Sequence, residues 1–108
     1  MYPPLDLGVA VSPGRTVLTV GGELDMDTAP HLTEAFDLLD LHQRLILDLS
    51  GVIFIDSCGL NTLLTLRHRV SLTGGSLELG GMPDQALRLL DLTGTRHLFT
   101  LRAGFARV

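Results

Sequence analysis

The chain has 108 residues, a net charge of −4, 45% hydrophobic and 19% charged residues, a balance that suits one globular domain with one core and excludes an intrinsically disordered segment. No apolar run is long enough to span a bilayer, and the basic residues, all arginine, form no stripe of the kind nucleic-acid binders carry, so neither membrane nor direct nucleic-acid contact is expected. The sole cysteine, Cys58, has no partner for an internal disulfide, which fits a reducing cytoplasm; His31, His42, His68 and His97 lack the paired spacing of a metal site.

Met1-Tyr2-Pro3-Pro4 has neither a basic n-region nor an apolar h-region, so no secretory signal is expected. Leu5, Leu7, Val9 and Val11 alternate with Asp6, Gly8 and Ala10 at the period of a half-buried strand. Ser12-Pro13-Gly14 is a turn. Thr16 to Val20 predicts a hairpin partner that ends at Gly21-Gly22. Glu23 to Thr28 reads as a loop, with Asp27 or Thr28 capping a helix in whose first turn Pro30 is tolerated. Leu32, Ala35, Phe36 and Leu39 keep helical spacing toward a core, with Glu34, Asp37 and Asp40 opposite. Leu45 to Leu49 is nearly all apolar, as in a central strand covered on both faces.

A second short apolar run follows, ending at Ile55, and leads to Asp56-Ser57 at the mouth of a helix. Leu60, Leu63, Leu64 and Arg67 line one face of that helix, and Gly74-Gly75 closes it. Ser76 to Leu79 alternates as a short strand. Met82-Pro83-Asp84 opens a third helix, with Ala86, Leu87 and Leu90 inward and Thr93-Gly94 as its stop. Leu98 to Leu101 reads as a last edge strand. The order β-β-α-β-α-β-α-β predicts an α/β domain with a mixed sheet and crossover connections.

Ser57 carries three readings. It is a helix N-cap, whose hydroxyl accepts from a backbone N–H. It is a phosphoacceptor, because a helix N-terminus tolerates the added charge of about −1.5 to −2. Or it is a hydrolase nucleophile, for which the G-x-S-x-G elbow is only half present, since Ile55 stands two residues before it. Asp25 and Asp56 read either as turn and cap residues or, if their loops are neighbours, as carboxylates beside the Ser57 hydroxyl. Cys58 at the helix start reads as a thiol of low pKa or, more simply, as a small, partly buried hydrophobe. His31 and His97 read as surface or capping residues.

Gly22-Glu23-Leu24-Asp25 with Asp27-Thr28-Ala29, Leu47-Asp48-Leu49-Ser50-Gly51-Val52, and Phe54-Ile55-Asp56-Ser57-Cys58-Gly59-Leu60 occur in an order and spacing that closely resemble the STAS-domain anti-sigma factor antagonists of bacteria. The resemblance extends from about Leu5 to Leu101 and includes Gly81-Met82-Pro83 through Thr93-Gly94. It implies a single STAS domain over 1–108: α/β, a mixed four-to-five-stranded sheet with helices packed on one side. It implies a cytoplasmic partner-switching protein that is not an enzyme and needs no cofactor or metal.

In that family the unphosphorylated antagonist binds an anti-sigma factor that is also a serine kinase of the histidine-kinase-like ATPase fold, and the sigma factor is released. Phosphorylation at the position matching Ser57 ends the complex, and a PP2C-type phosphatase restores the active form. Asp25 matches the family aspartate near the phosphoacceptor, with Asp56 its other acidic neighbour. The resemblance implies a partner surface of Asp25, Ser57, Cys58, Asn61, Thr62 and Thr65. Cys58 stands where many relatives carry a second serine, and Arg102 to Val108 is short for the final helix that many have. The alternative is a STAS adaptor or scaffold subunit of a sensory or lipid-transport assembly.

Overall fold

The computed structural model describes residues 5–102; the N-terminal segment and the tail, with the expectations attached to them, lie outside the described residues. Among the described residues, five strands form one sheet in the order β1-β2-β3-β4-β5: β1 (Asp6–Ser12), β2 (Arg15–Leu24), β3 (Arg44–Ile55), β4 (Ser76–Gly80) and β5 (Thr100–Arg102). Three helices connect them: α1 (Ala29–Asp37), α2 (Ser57–Leu72) and α3 (Asp84–Thr93). β1 is antiparallel to β2 across the Pro13-Gly14 turn, and every other pairing is parallel. The expected mixed sheet is therefore present, with one hairpin and then crossovers.

The core lies on one face of the sheet. Alternate side chains of a strand share a face, and Leu45, Leu47 and Leu49 of β3 join Leu18 and Val20 of β2 and Leu79 of β4 in one buried cluster. Leu32 and Phe36 of α1, Leu60, Leu63, Leu66 and Val70 of α2, and Ala86 and Leu90 of α3 enter the same cluster. All three helices thus cover that face. Ile46 of β3 is also fully buried but points to the opposite face, in register with Val17 and Glu78. The apolar run from Leu45 to Leu49 is covered on both faces, as its lack of alternation implies.

Glu78 on that opposite face is ion-paired with Arg44 and lies 3.8 Å from the Arg102 guanidinium. The Arg44 hydrogen bond holds its carboxyl below the ordinary value of 4.5. A carboxyl whose folded pKa is depressed contributes stability that is present above its unfolded pKa and lost as pH falls through the folded one. Glu78→Gln is therefore expected to be less stable than wild type at pH 7, with the difference shrinking below about pH 4.3. Urea unfolding at stepped pH measures this, and a difference that stays constant down to pH 3 sinks it.

Several local expectations are corrected. β1 is not half-buried: Leu7, Val9 and Val11 are 37%, 52% and 72% exposed, because β1 is the sheet edge; among the described residues before it, Leu5 joins the buried cluster. β2 does not stop at Gly21-Gly22 but runs to Leu24. Its pairing with β3 shifts register between Thr19 and Gly21 and again between Gly22 and Glu23, so the glycines bend the strand rather than end it. The second apolar run belongs to β3 itself. On α2, Leu64 and Arg67 are only half-buried, and Leu66 and Val70 complete the buried face. A short 3₁₀ turn over Arg96–Leu98 delays β5 to Thr100.

Candidate functional site

The site is built where β2 and β3 end side by side. Leu24 and Ile55 are register partners, and one residue further on the Asp56 N–H donates to the Leu24 carbonyl at 3.2 Å. The loops carrying Asp25 and Asp56 are therefore neighbours. Asp56 is still extended, with φ −104 and ψ −176, and its Oδ1 accepts from the Gly59 N–H at 2.9 Å. This is N-cap geometry. The cap is Asp56, and Ser57 is the first helical residue, which corrects the capping reading of the serine. An aspartate wins this place because its carboxylate both accepts from an orphan N–H and complements the positive end of the helix.

Ser57 is exposed and, among the described residues, its hydroxyl enters no hydrogen bond. Its backbone is fixed from both directions by the Asp56 cap and the strand before it. Gly59 makes the close approach possible: a Cβ there would lie 2.3 Å from the Leu24 carbonyl oxygen and 2.9 Å from Leu24 Cγ and Ile55 Cγ1.

Ser57 opens onto a cleft of about 630 Å³ between the helices. One wall is Met26, Ala29, Pro30, Thr33 and Glu34 from α1 and its approach; the other is Ser57, Cys58, Asn61 and Thr62 from α2. Toward the C-terminal ends of the two helices, Arg69 pairs with Asp37 at 2.8 Å and stands 5.8 Å from the centroid of the buried Phe36 ring. Among the described residues no arginine lines the cleft. Its charged residue is Glu34, with Asp56 behind Ser57. A phosphate on Ser57 would be favoured by the helix start and would make an already acidic mouth more so.

Asp25 serves its own loop. Its Oδ1 accepts from the N–H of Asp27 at 3.0 Å and from the N–H of Thr28 at 3.1 Å, while its carbonyl accepts from the Ala29 N–H at 2.8 Å. The buried Thr28 hydroxyl is used in the backward direction, donating to the Glu23 carbonyl at 2.6 Å. The expected capping of α1 by Asp27 or Thr28 is thus corrected: Thr28 occupies the N-cap position without a side-chain cap bond, and Asp25 organises the preceding turn. Asp25 does not line the cleft.

Asp25→Ala is expected to lose about 1 kcal/mol of stability, and Asp25→Asn, which keeps the acceptor, to recover most of it. Urea denaturation of the pair measures this. An asparagine variant as unstable as the alanine one would show that charge, not the turn, is what Asp25 supplies.

Cys58 is exposed rather than partly buried, because Gly59, Leu60 and Leu63 take the inward side of α2. Asn61 and Thr62 line the cleft. Thr65 is exposed one turn further along, outside it, with its hydroxyl donating to the Asn61 carbonyl at 3.0 Å. His31 and His97 are exposed, as expected. Sequence reasoning missed the α1 wall. The one signal for it was Met26, a large apolar residue in an otherwise acidic loop, 67% exposed in the structure.

The STAS domain family model matches residues 7–107. The chain is 34% identical over 96 residues to the anti-sigma-F factor antagonist RsfB of Mycobacterium tuberculosis, an alignment covering 85% of this chain and 79% of that protein. It is 31% identical over 87 residues to the anti-sigma-B factor antagonist of Bacillus subtilis, covering 80% of each. Among solved structures, an anti-sigma factor antagonist from Mycobacterium paratuberculosis superposes with a TM-score of 0.81 at 29% identity, covering 94% of this chain and 87% of that one. The anti-sigma factor antagonist SpoIIAA superposes with a TM-score of 0.68 at 18% identity, covering 94% and 89%, a likeness of fold alone. No described helix is long and apolar enough to cross a membrane.

Proposed function

The chain belongs to the STAS-domain family of anti-sigma factor antagonists, and from that premise we propose that it is a cytoplasmic partner switch controlled by phosphorylation of Ser57. The unphosphorylated form binds an anti-sigma factor that is also a serine kinase of the histidine-kinase-like ATPase fold, and the sigma factor is set free. The kinase phosphorylates Ser57 and the complex dissociates. A PP2C-type phosphatase returns the protein to its binding form. The chain carries no catalytic role of its own in this cycle and requires no cofactor.

The observation that carries the reading is the exposed, unbonded Ser57 hydroxyl on the first residue of a capped helix, opening onto a cleft. A kinase needs a hydroxyl it can reach on a backbone that does not move away, and both are supplied. The docking surface is the cleft mouth: Ser57, Cys58, Asn61 and Thr62, with Met26 as the exposed apolar contact on the other wall and Thr65 at the margin. Asp25 contributes by shaping the loop that carries Met26.

Phosphorylation acts by local electrostatics. A group of about −1.5 to −2 charge placed in the middle of this docking surface, across the cleft from Glu34 and next to the Asp56 cap, must be desolvated or repelled when a partner covers it. A loss of about 1.4 kcal/mol is a factor of ten in affinity, so a switch needs no rearrangement of the domain.

The test is intact-mass and peptide mass spectrometry on the protein isolated from its own cells, with and without phosphatase treatment. One phosphate mapped to Ser57 and removed by phosphatase supports the switch. Absence of phosphate across growth conditions would defeat it and leave a scaffold or adaptor role.

A further inference from the structure

β3 outlasts its neighbour on one side. β4 pairs with it only from Arg44 to Asp48, while β3 continues to Ile55. Beyond Asp48 the neighbour is the connection from β4 to α3. Gly81, at φ +66, lies so close to Ser50 that a Cβ there would stand 2.8 Å from Ser50 Cβ. Gln85, in the first turn of α3, then replaces the missing strand. The Ile55 N–H donates to Gln85 Oε1 at 2.9 Å, and Gln85 Nε2 donates to the Ile55 carbonyl at 2.8 Å. A carboxamide offers one donor and one acceptor together, which is what an unpaired strand residue lacks.

Ile55 is followed at once by the cap Asp56 and by Ser57. The strand exit is thus gripped on both edges: the Leu24 carbonyl holds Asp56 from the β2 side, and Gln85 holds Ile55 from the α3 side. We infer that Gln85 is a positioning residue for Ser57. By standing in for a strand at Ile55 it fixes the direction in which the backbone delivers the serine hydroxyl, and it ties that direction to the seat of α3. The inference rests on the proposal that Ser57 is the phosphoacceptor.

Full-length Gln85→Met and Gln85→Glu variants test it. Methionine keeps the reach and loses both polar atoms. Ionised glutamate still accepts from the Ile55 N–H but sets a negative charge on the Ile55 carbonyl; protonated glutamate regains a donor. Two readouts are compared with wild type. The first is amide hydrogen exchange at Ile55 and Gly59. The second is the initial rate of phosphate incorporation at Ser57, followed by mass spectrometry in an ATP-supplemented extract of the source cells over a range of protein concentrations.

Gln85→Met is expected to speed exchange at both amides and to lower the maximal rate about tenfold, because small misplacement of a reacting group is costly. Its half-saturating concentration stays within about twofold, since about 0.4 kcal/mol covers that change and Asn61 and Thr62 are untouched. The rate of Gln85→Glu, taken as a ratio to wild type at each pH, rises as pH is lowered. An unchanged maximal rate despite faster exchange at Ile55 overturns the inference and leaves Gln85 a structural residue. Faster exchange throughout the domain also overturns it, as global destabilisation. Wild-type protein that takes no phosphate at Ser57 overturns the partner-switch reading itself, and shows this before any variant is compared.

Discussion

Gly59→Ala lowers the stability of the domain by about 3 kcal/mol, a fall of more than about 10 °C in Tm for a chain of this size. Two effects of opposite sign compete. Alanine inside a helix is favoured over glycine by about 1 kcal/mol, so an exposed substitution would stabilise α2. Here the new methyl would meet the Leu24 carbonyl oxygen at 2.3 Å, a contact with backbone that a side-chain rotation cannot relieve. Leu24 is fully buried and paired with Ile55, so α2 must lift or β2 must bend. Either movement strains the Asp56 hydrogen bond to Leu24 and the cap on Gly59. Thermal unfolding followed by circular dichroism measures the loss. A Tm equal to or above that of wild type would mean that α2 is not seated on β2 as described, and the rigid presentation of Ser57 would fall with it.

Ser57→Asp weakens binding to the anti-sigma factor by about ten- to a hundredfold, or about 1.4–2.8 kcal/mol, while Ser57→Ala binds within about threefold of wild type and takes no phosphate. The asymmetry follows from the cap. Because Asp56 and not Ser57 accepts from the Gly59 N–H, removing the serine hydroxyl leaves the helix start intact, and the alanine variant keeps its stability within about 0.5 kcal/mol. The aspartate adds one negative charge to a cleft that Glu34 already lines, next to the Asp56 cap. One charge is less than a phosphate carries, so the effect is smaller than full phosphorylation. It also shrinks as salt is raised, because the site is exposed and screened. Isothermal titration calorimetry at two salt concentrations reads both variants. Tight binding by Ser57→Asp at low salt would remove the electrostatic account, and phosphate on Ser57→Ala would move the site to another residue.

The order of elements was legible because the chain alternates its periods cleanly. Leu45 to Leu49 shows no alternation and is buried on both faces; Leu32 and Phe36 repeat at helical spacing and are buried. What sequence could not show was that β1, and not the last strand alone, is an edge. Leu7, Val9 and Val11 alternate like any half-buried strand, and only the sheet order leaves them exposed. At the site, Asp56 and Asp25 were legible as turn and cap residues, but which residue caps which helix depended on backbone angles one residue apart. Thr28 has the side chain of a cap and spends its hydroxyl on Glu23 instead. Gln85 was silent for a different reason. A lone glutamine in the first turn of a helix has no pattern, and its partner Ile55 is 30 residues away.

Those long separations bear on when the site comes into being. The β1–β2 hairpin closes locally, but Leu24, Ile55 and Gln85, which together hold Ser57 in place, come from three crossover-separated segments. Such non-local pairings form late relative to local ones. A chain still emerging from the ribosome, or one that has lost its sheet, carries the serine but not its address. If Ser57 is the phosphoacceptor proposed above, an enzyme that recognises it through this backbone would act on finished molecules, and the phosphate would double as a stamp of maturation, carried only by copies that have completed their fold.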